Sequence, residues 1–231
     1  MIIGIIGAMD QEIALLKDNM TNIEKEEKIA NCLFITGSLK GKSVVILQSG
    51  IGKVNAAMAT TILHERYKPT YIINTGSAGG FDATLDVGDL VIGNAVTHHD
   101  VDVTAFQYAY GQVPGLPETY LADPFLIEKV EKVIKQILHV KAKQGLIGTG
   151  DSFMQDPIRV EFVREKFPLL IATEMEAAAI AQVCFQYNTP FVIIRALSDI
   201  AGKESAVSFD AFLDTAAKHA AQLIMEVVQD I

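Results

Sequence analysis

Phe191-Val192-Ile193-Ile194-Arg195-Ala196-Leu197-Ser198-Asp199 is the stretch of this 231-residue chain that says most about its architecture. Its apolar run, rich in β-branched residues, reads as a strand near 190–197 covered on both faces, with Ser198-Asp199 in the turn that follows. Its one arginine must either reach past the sheet end or meet a carboxylate. Working outward, similar runs recur near 2–6, 32–37, 43–48, 71–74, 89–97 and 144–148. Stretches of helical period lie between and after them, near 10–20, 53–66, 123–138, 158–166, 175–187 and 208–229. That alternation predicts an α/β fold with a largely parallel sheet. No internal repeat, linker or shift of composition divides the chain, so residues 1–231 are expected to form one domain.

Composition excludes several classes of function. Half of the residues are hydrophobic and 20% are charged, with a mean hydropathy of +0.28, which is too apolar for a disordered chain. Nineteen Lys+Arg stand against 28 Asp+Glu, a net charge of −9, and no basic run appears. A backbone-binding nucleic-acid protein needs a basic stripe, so no nucleic-acid partner is expected. Cys32 and Cys184 suggest neither a disulfide framework nor a zinc site. The opening Met-Ile-Ile-Gly-Ile-Ile-Gly-Ala-Met lacks a basic flank and reads as a buried strand rather than a signal peptide. No apolar run is long enough to cross a bilayer. The expectation is a soluble cytoplasmic protein without a membrane partner.

Five segments carrying glycines or functional side chains follow the predicted strands. They are Gly7-Ala8-Met9, Ser49-Gly50-Ile51-Gly52, Thr75-Gly76-Ser77-Ala78-Gly79-Gly80, Gly148-Thr149-Gly150-Asp151-Ser152-Phe153 and Ser198-Asp199. Ligands of α/β sheets bind beyond the carboxyl ends of strands, where such turns converge, so a pocket is expected there. None of these turns matches a dinucleotide or Walker A fingerprint. Glu12 falls in the first turn of the predicted 10–20 helix, and Glu176 in that of the 175–187 helix. Free amides and the helix dipole favour an anion at both places, so each is expected to stay ionised. Helix-start chemistry alone also accounts for Glu12 and Glu174. Glu174 and Glu176, two residues apart, cannot share a helix face. Arg195 is a candidate partner for Glu12 or Glu176, and a satisfied core ion pair remains open.

Other constellations carry less. His98-His99-Asp100-Val101-Asp102 has alternating potential ligands, yet no further His or Cys has metal-ligand spacing, so no metal is expected. The turn serines Ser49, Ser77, Ser152 and Ser198 belong to no Gly-x-Ser-x-Gly elbow. The connection from His99 to Ala122 holds Phe106, Tyr108, Tyr110 and Tyr120 with Pro114 and Pro117. Such an aromatic loop suits a subunit contact or a pocket lid, and packing on its own domain is the alternative.

Taken together these residues resemble one family. Its motifs are Gly4-Ile5-Ile6-Gly7-Ala8-Met9 with Glu12, Ser49 through Ala57, Asn74 through Gly80, and His99-Asp100 with Asp102 through Phe106. Gly150-Asp151-Ser152-Phe153, Glu174-Met175-Glu176-Ala177 and Arg195-Ala196-Leu197-Ser198-Asp199 complete the set. The chain is similar, over essentially its whole length, to bacterial 5′-methylthioadenosine/S-adenosylhomocysteine nucleosidases of the nucleoside phosphorylase/hydrolase superfamily. The expected fold is then a single-domain three-layer α/β/α sandwich with a central mixed, largely parallel sheet. The resemblance implies hydrolysis of the N-glycosidic bond of these nucleosides, and of 5′-deoxyadenosine, in methionine salvage and methyl-cycle product removal.

The same resemblance implies the roles of single residues. Glu12 polarises water, Glu176 binds the ribose hydroxyls, Met175 packs on the sugar, and Asp199 serves N7 of adenine. Phe153 stacks on the base, the backbone at Met154 reads its edge, and Ser77 and Arg195 hold the water-side network. Ala78, Gly79 and Ser198 belong to the substrate-binding wall. Met9, Ile51 and Phe209 line an alkylthio pocket, completed by Val103, Phe106 and Pro114 from the second subunit of a homodimer. No cofactor is implied. Gln107 through Gly111, Met154 and Gln155-Asp156-Pro157 depart from the family's usual pattern.

Other readings compete. A phosphorylase of the same superfamily binds a dianion, which usually recruits several arginines. Only Arg66, Arg159, Arg164 and Arg195 occur, and just one lies near the expected site, which favours water as the nucleophile. A nucleoside-binding module without catalysis, and a flavodoxin- or Rossmann-type redox protein, are the remaining alternatives.

Overall fold

The apolar runs that open and close the sequence lie on either side of one central strand. The computed structural model describes residues 1–136, 141–203 and 205–231. In chain order its first elements are β1 (Ile3–Gly7), α1 (Asp10–Asp18), β2 (Thr21–Ile29), β3 (Cys32–Leu39), β4 (Lys42–Gln48) and α2 (Lys53–Tyr67). There follow β5 (Tyr71–Gly80), β6 (Leu90–His98), β7 (Tyr120–Leu121), α3 (Pro124–Gln136), β8 (Ala142–Thr149) and α4 (Pro157–Lys166). The last are β9 (Leu170–Glu174), α5 (Ala177–Tyr187), β10 (Phe191–Ile200) and α6 (Ser205–Asp230). The predicted helix over 123–138 is described as far as Gln136, and its last two positions lie outside the described residues.

Strand order is β10-β6-β8-β9-β5-β1-β4-β3-β2, with β7 beside β6 and a further pairing of β10 with β5. Along β5, Tyr71 to Asn74 pair with β1, Ile72 to Gly80 pair with β10, and Gly79–Gly80 pair with β9. Five strands therefore close on themselves. Glycine inside a strand permits such a bend, and the second half of β5, Thr75–Gly80, is glycine-rich strand where a turn was expected. The expected three-layer sandwich with a largely parallel sheet changes accordingly. Part of the sheet is a closed ring, and its described pairings divide into five parallel and five antiparallel.

Alternating side chains supply two cores. Ile3, Ile5, Val44, Ile46, Ile73, Val192 and Ile194 pack towards α1, α3 and α6. Ile6, Val45, Leu47, Ile72 and Ile193 pack towards α2 and α5. Covering both faces is what makes these strands continuously apolar. Cys32 and Cys184 are free and buried within the second core. No helix among the described residues is long and apolar enough to cross a membrane.

Three strands escaped the sequence reading. β2 is almost wholly exposed, with a charged sequence, Thr-Asn-Ile-Glu-Lys-Glu-Glu-Lys-Ile. It is an edge strand whose charges discourage further pairing, and its hydrogen bonds to β3 decide it. β9 is five residues long and β7 only two.

Candidate active site

The loops after β1 and β4, the glycine-rich half of β5, the turn after β8, the β9–α5 junction and the end of β10 surround one cavity of about 310 Å³. Glu12 enters from α1. Its Oε2 accepts the amides of Ala8 at 2.7 Å and Met9 at 3.2 Å. Its Oε1 accepts the Ser77 amide at 2.9 Å and the Ser77 hydroxyl at 3.2 Å. Glu12 is thus a capping-box residue of α1 and, though only 1% exposed, also a wall of the cavity. The capping explanation is satisfied, and the same side chain reaches the cavity. Gly76 makes this packing feasible. A Cβ there would overlap Arg195 Nη1 and stand 2.7 Å from Glu12 Oε1.

Asp199 lies within β10, which runs on to Ile200, so Ser198 and Asp199 are strand rather than the expected turn. The register of β10 on β5 shifts between Leu197 and Asp199. A bulge of this kind re-aims the side chain after it, and Asp199 lines the cavity, 3% exposed. The Ser198 hydroxyl donates to its Oδ1 at 2.9 Å.

The β9–α5 junction departs most from expectation. α5 begins at Ala177, with Glu176 in the capping position but without a side-chain capping bond. Glu174, at the end of β9, takes over that task, because its Oε2 accepts the amides of Glu176 at 2.9 Å and Ala177 at 2.8 Å. Its other oxygen accepts the Thr149 hydroxyl, and Thr149 Oγ1 accepts the Ala178 amide at 2.8 Å. The first amides of α5 are therefore satisfied by β9 and β8. Glu176 turns instead across the cavity, and its Oε1 accepts the Gly52 amide at 2.9 Å.

Arg195 pairs most tightly with Glu174, the carboxylate not foreseen as its partner. Glu176 Oε2 stands 3.6 Å away. The guanidinium also donates to Asn74 Oδ1 at 2.7 Å and to the Ser77 carbonyl at 3.3 Å. Burial works against its charge, but Glu174, Glu176 and Glu12 together hold its ionisation above the usual arginine range. Arg195 stands behind the wall of the cavity rather than in it. Glu176 is not the anion expected. Burial and the neighbouring Glu174 push its carboxyl up to about 8, while Arg195 only partly opposes them.

The remaining walls are mostly apolar. Met9, Ile51, Phe153, Met154, Met175 and Phe209 line the cavity, as do Ala78, Gly79 and Ser198. Phe153 and Phe209 meet edge to face with centroids 5.8 Å apart. The Met154 carbonyl accepts the Gly202 amide at 3.1 Å, and its side chain packs with Phe81, Val160 and Val163. Asp156 caps α4 by accepting the Ile158 amide at 2.9 Å. Val103, Phe106 and Pro114 lie outside the described lining of the cavity, and Phe106 is 75% exposed. Tyr110, from the same loop, packs on Phe162 and Phe167 of its own chain. His98 and His99 are buried, and burial lowers the ionisation of both. No cluster of three metal-ligating side chains occurs among the described residues.

Sequence reasoning named Asn74 and Thr149 only inside longer segments, without the supporting contacts they make, and it passed over Thr173, which lines the cavity. It also passed over Asp210, which lines the cavity beside Phe209.

Comparison with known proteins extends these observations. The family model described as the phosphorylase superfamily matches residues 2–229. A 5′-methylthioadenosine/S-adenosylhomocysteine nucleosidase of Geobacillus sp. (strain WCH70) is 64% identical over 229 residues, 99% of this chain and 98% of that protein. One from Oceanobacillus iheyensis is 63% identical over 231 residues, covering 100% of each. The crystal structure of the Neisseria meningitidis nucleosidase with methylthio-immucillin-A has a TM-score of 0.97 and 47% identity, over 100% of this chain and 99% of that one.

Proposed function

The chain belongs to the phosphorylase superfamily and, within it, to the 5′-methylthioadenosine/S-adenosylhomocysteine nucleosidases, and from that premise we propose how its pocket divides the work. It hydrolyses the N-glycosidic bond of both nucleosides and releases adenine. 5′-Deoxyadenosine, which keeps the sugar and base, is a further substrate. The observation that carries the mechanism is the meeting of Glu12, Glu176 and Asp199, from three distant parts of the sequence, on one largely apolar cavity.

As the bond from the sugar to N9 breaks, its electron pair passes to the purine and the sugar becomes oxocarbenium-like. Adenine is a poor leaving group until N7 is protonated. Asp199, steadied by Ser198, supplies or shares that proton. The water oxygen bonds to the anomeric carbon and gives its proton towards Glu12. Four donors fix the position of Glu12, so little reorganisation is needed as charge develops. Glu176 takes the ribose hydroxyls and Met175 packs on the sugar. Phe153 stacks on the base and the Met154 backbone reads its edge. Met9, Ile51 and Phe209 hold the alkylthio group. Val103, Phe106 and Pro114 of a second copy close that pocket, which makes a homodimer the functional unit. Residues 1–231 act as one domain without a cofactor.

Water rather than phosphate is the nucleophile. No Lys or Arg stands among the described residues lining the cavity, and the nearby cations are engaged, Arg195 by Glu174 and Lys53 by Asp100. The test is adenine release from methylthioadenosine in phosphate-free buffer, repeated with phosphate. Equal rates are expected. A strict need for phosphate would make the protein a phosphorylase, and tight binding without cleavage would make it a binding module.

A further inference from the structure

At the rim of the cavity three segments meet in a closed ring of hydrogen bonds that the chemistry above does not use. The Lys53 ammonium contacts Asp100 Oδ1 at 2.6 Å. Asp100 Oδ2 accepts the Asp151 amide at 3.0 Å, and Asp151 Oδ1 accepts the Lys53 amide at 2.8 Å. Lys53 and Asp151 each enter the ring twice, by backbone and by side chain, while Asp100 bridges them with its two oxygens. The ring joins the start of α2, the segment after β6 and the turn after β8. Its ion pair is partly shielded, with side chains 20% and 28% exposed, so it is less screened than a surface pair.

Both ends of the ring touch the site. Gly52, just before Lys53, donates its amide to Glu176. It does so at φ +95°, and a Cβ there would stand 3.1 Å from Asp151 Oδ1. Ser152 and Phe153, just after Asp151, form part of the cavity wall. We infer that Lys53 is a positioning residue, which with Asp100 and Asp151 locks the Gly52 amide onto Glu176 and holds the Phe153 turn at a fixed distance from it. The inference rests on the ribose and base roles assigned above to Glu176 and Phe153.

Contacts of this kind are made in the ground state and transition state alike, so their loss belongs in KM rather than kcat. Loosening the Gly52 amide also removes a donor that favours the Glu176 carboxylate. The other charged groups facing Glu176 are Glu174, Glu12 and Arg195, and none belongs to the ring.

The experiment compares wild type with Lys53→Met, Lys53→Arg and Asp100→Asn. Lys40→Met, which breaks the exposed Lys40–Glu226 pair, serves as the control. Adenine release from methylthioadenosine is followed against pH, and exchange of the Gly52 amide is followed by NMR in the free protein. Lys53→Met and Asp100→Asn are expected to raise KM about tenfold with kcat changed less than about threefold, the loss of one charge-supported hydrogen bond. They are also expected to move the ionisation of Glu176 upward and to speed Gly52 exchange. Lys53→Arg recovers most of the loss and Lys40→Met changes nothing. Wild-type KM with wild-type Gly52 exchange in Lys53→Met and Asp100→Asn overturns the inference, as does lowered thermal stability with unaltered kinetics. If Lys53→Met does not fold, the near-isosteric Asp100→Asn decides. A wild-type protein that releases no adenine refutes the functional reading instead, and Gly52 exchange still decides the ring.

Discussion

At the residue scale, the chemistry of Glu176 differs between the isolated amino acid and the folded chain. Its carboxyl ionises near 4.5 in an unfolded chain and near 8 when buried beside Glu174. Between those pH values the folded state holds a proton that the unfolded state has lost, so this residue's contribution to stability falls as pH rises. The buried His64, His98 and His99, whose ionisation burial lowers, have the opposite sign, with full stability above about pH 6.5. Comparison with Glu176→Gln isolates the carboxyl. Thermal melts are expected to show the variant gaining on wild type steadily from about pH 4.5 to 8. A constant difference across that range would mean that Glu176 is not held protonated. For Asp199→Asn, a well-folded protein whose kcat falls on the order of 10²- to 10⁴-fold is expected, the usual worth of a positioned acid. Wild-type turnover would remove Asp199 from the acid role.

At the element scale, the site depends on how strands end. The bulge in β10 turns Asp199 into the cavity, and Glu174 at the end of β9 satisfies the first amides of α5 in place of Glu176. Thr149 joins the two, giving its hydroxyl proton to Glu174 and taking the Ala178 amide. Thr149→Val strands that buried amide, and chemical denaturation should show a loss of about 1–3 kcal/mol. A loss within experimental error would mean that water or a shifted backbone replaces the hydroxyl. The sequence made β1, β4 and β10 legible, because strands apolar on both faces announce themselves. β2 was not, since an exposed edge strand carries no hydrophobic period. β9 was not either, because its Leu-Ile-Ala-Thr-Glu offers three apolar residues before it turns polar. Without β9, the pairing of Glu174 with Arg195 had no geometric basis.

At the scale of the whole molecule, five strands close into a ring at the side of the sheet where the cavity lies, and helices cover both faces. Phe106 stays 75% exposed in the single chain, an apolar surface that suits burial against a second copy. Phe106→Ala is expected to raise KM for methylthioadenosine by about tenfold, the scale of losing a buried aromatic contact. Sedimentation should also show a weaker dimer. A monomeric wild type of full activity would refute the shared site. From its order of residues alone, the chain established an α/β class, the strand ends at which a pocket forms, and the carboxylates Glu12, Glu176 and Asp199. These follow from local periodicity and from side-chain type. Closure of the sheet, the partner of Arg195 and the proton on Glu176 were decided only by the tertiary structure. Each depends on groups far apart in the chain, and the energy of a buried charge is set by the neighbours that folding brings to it.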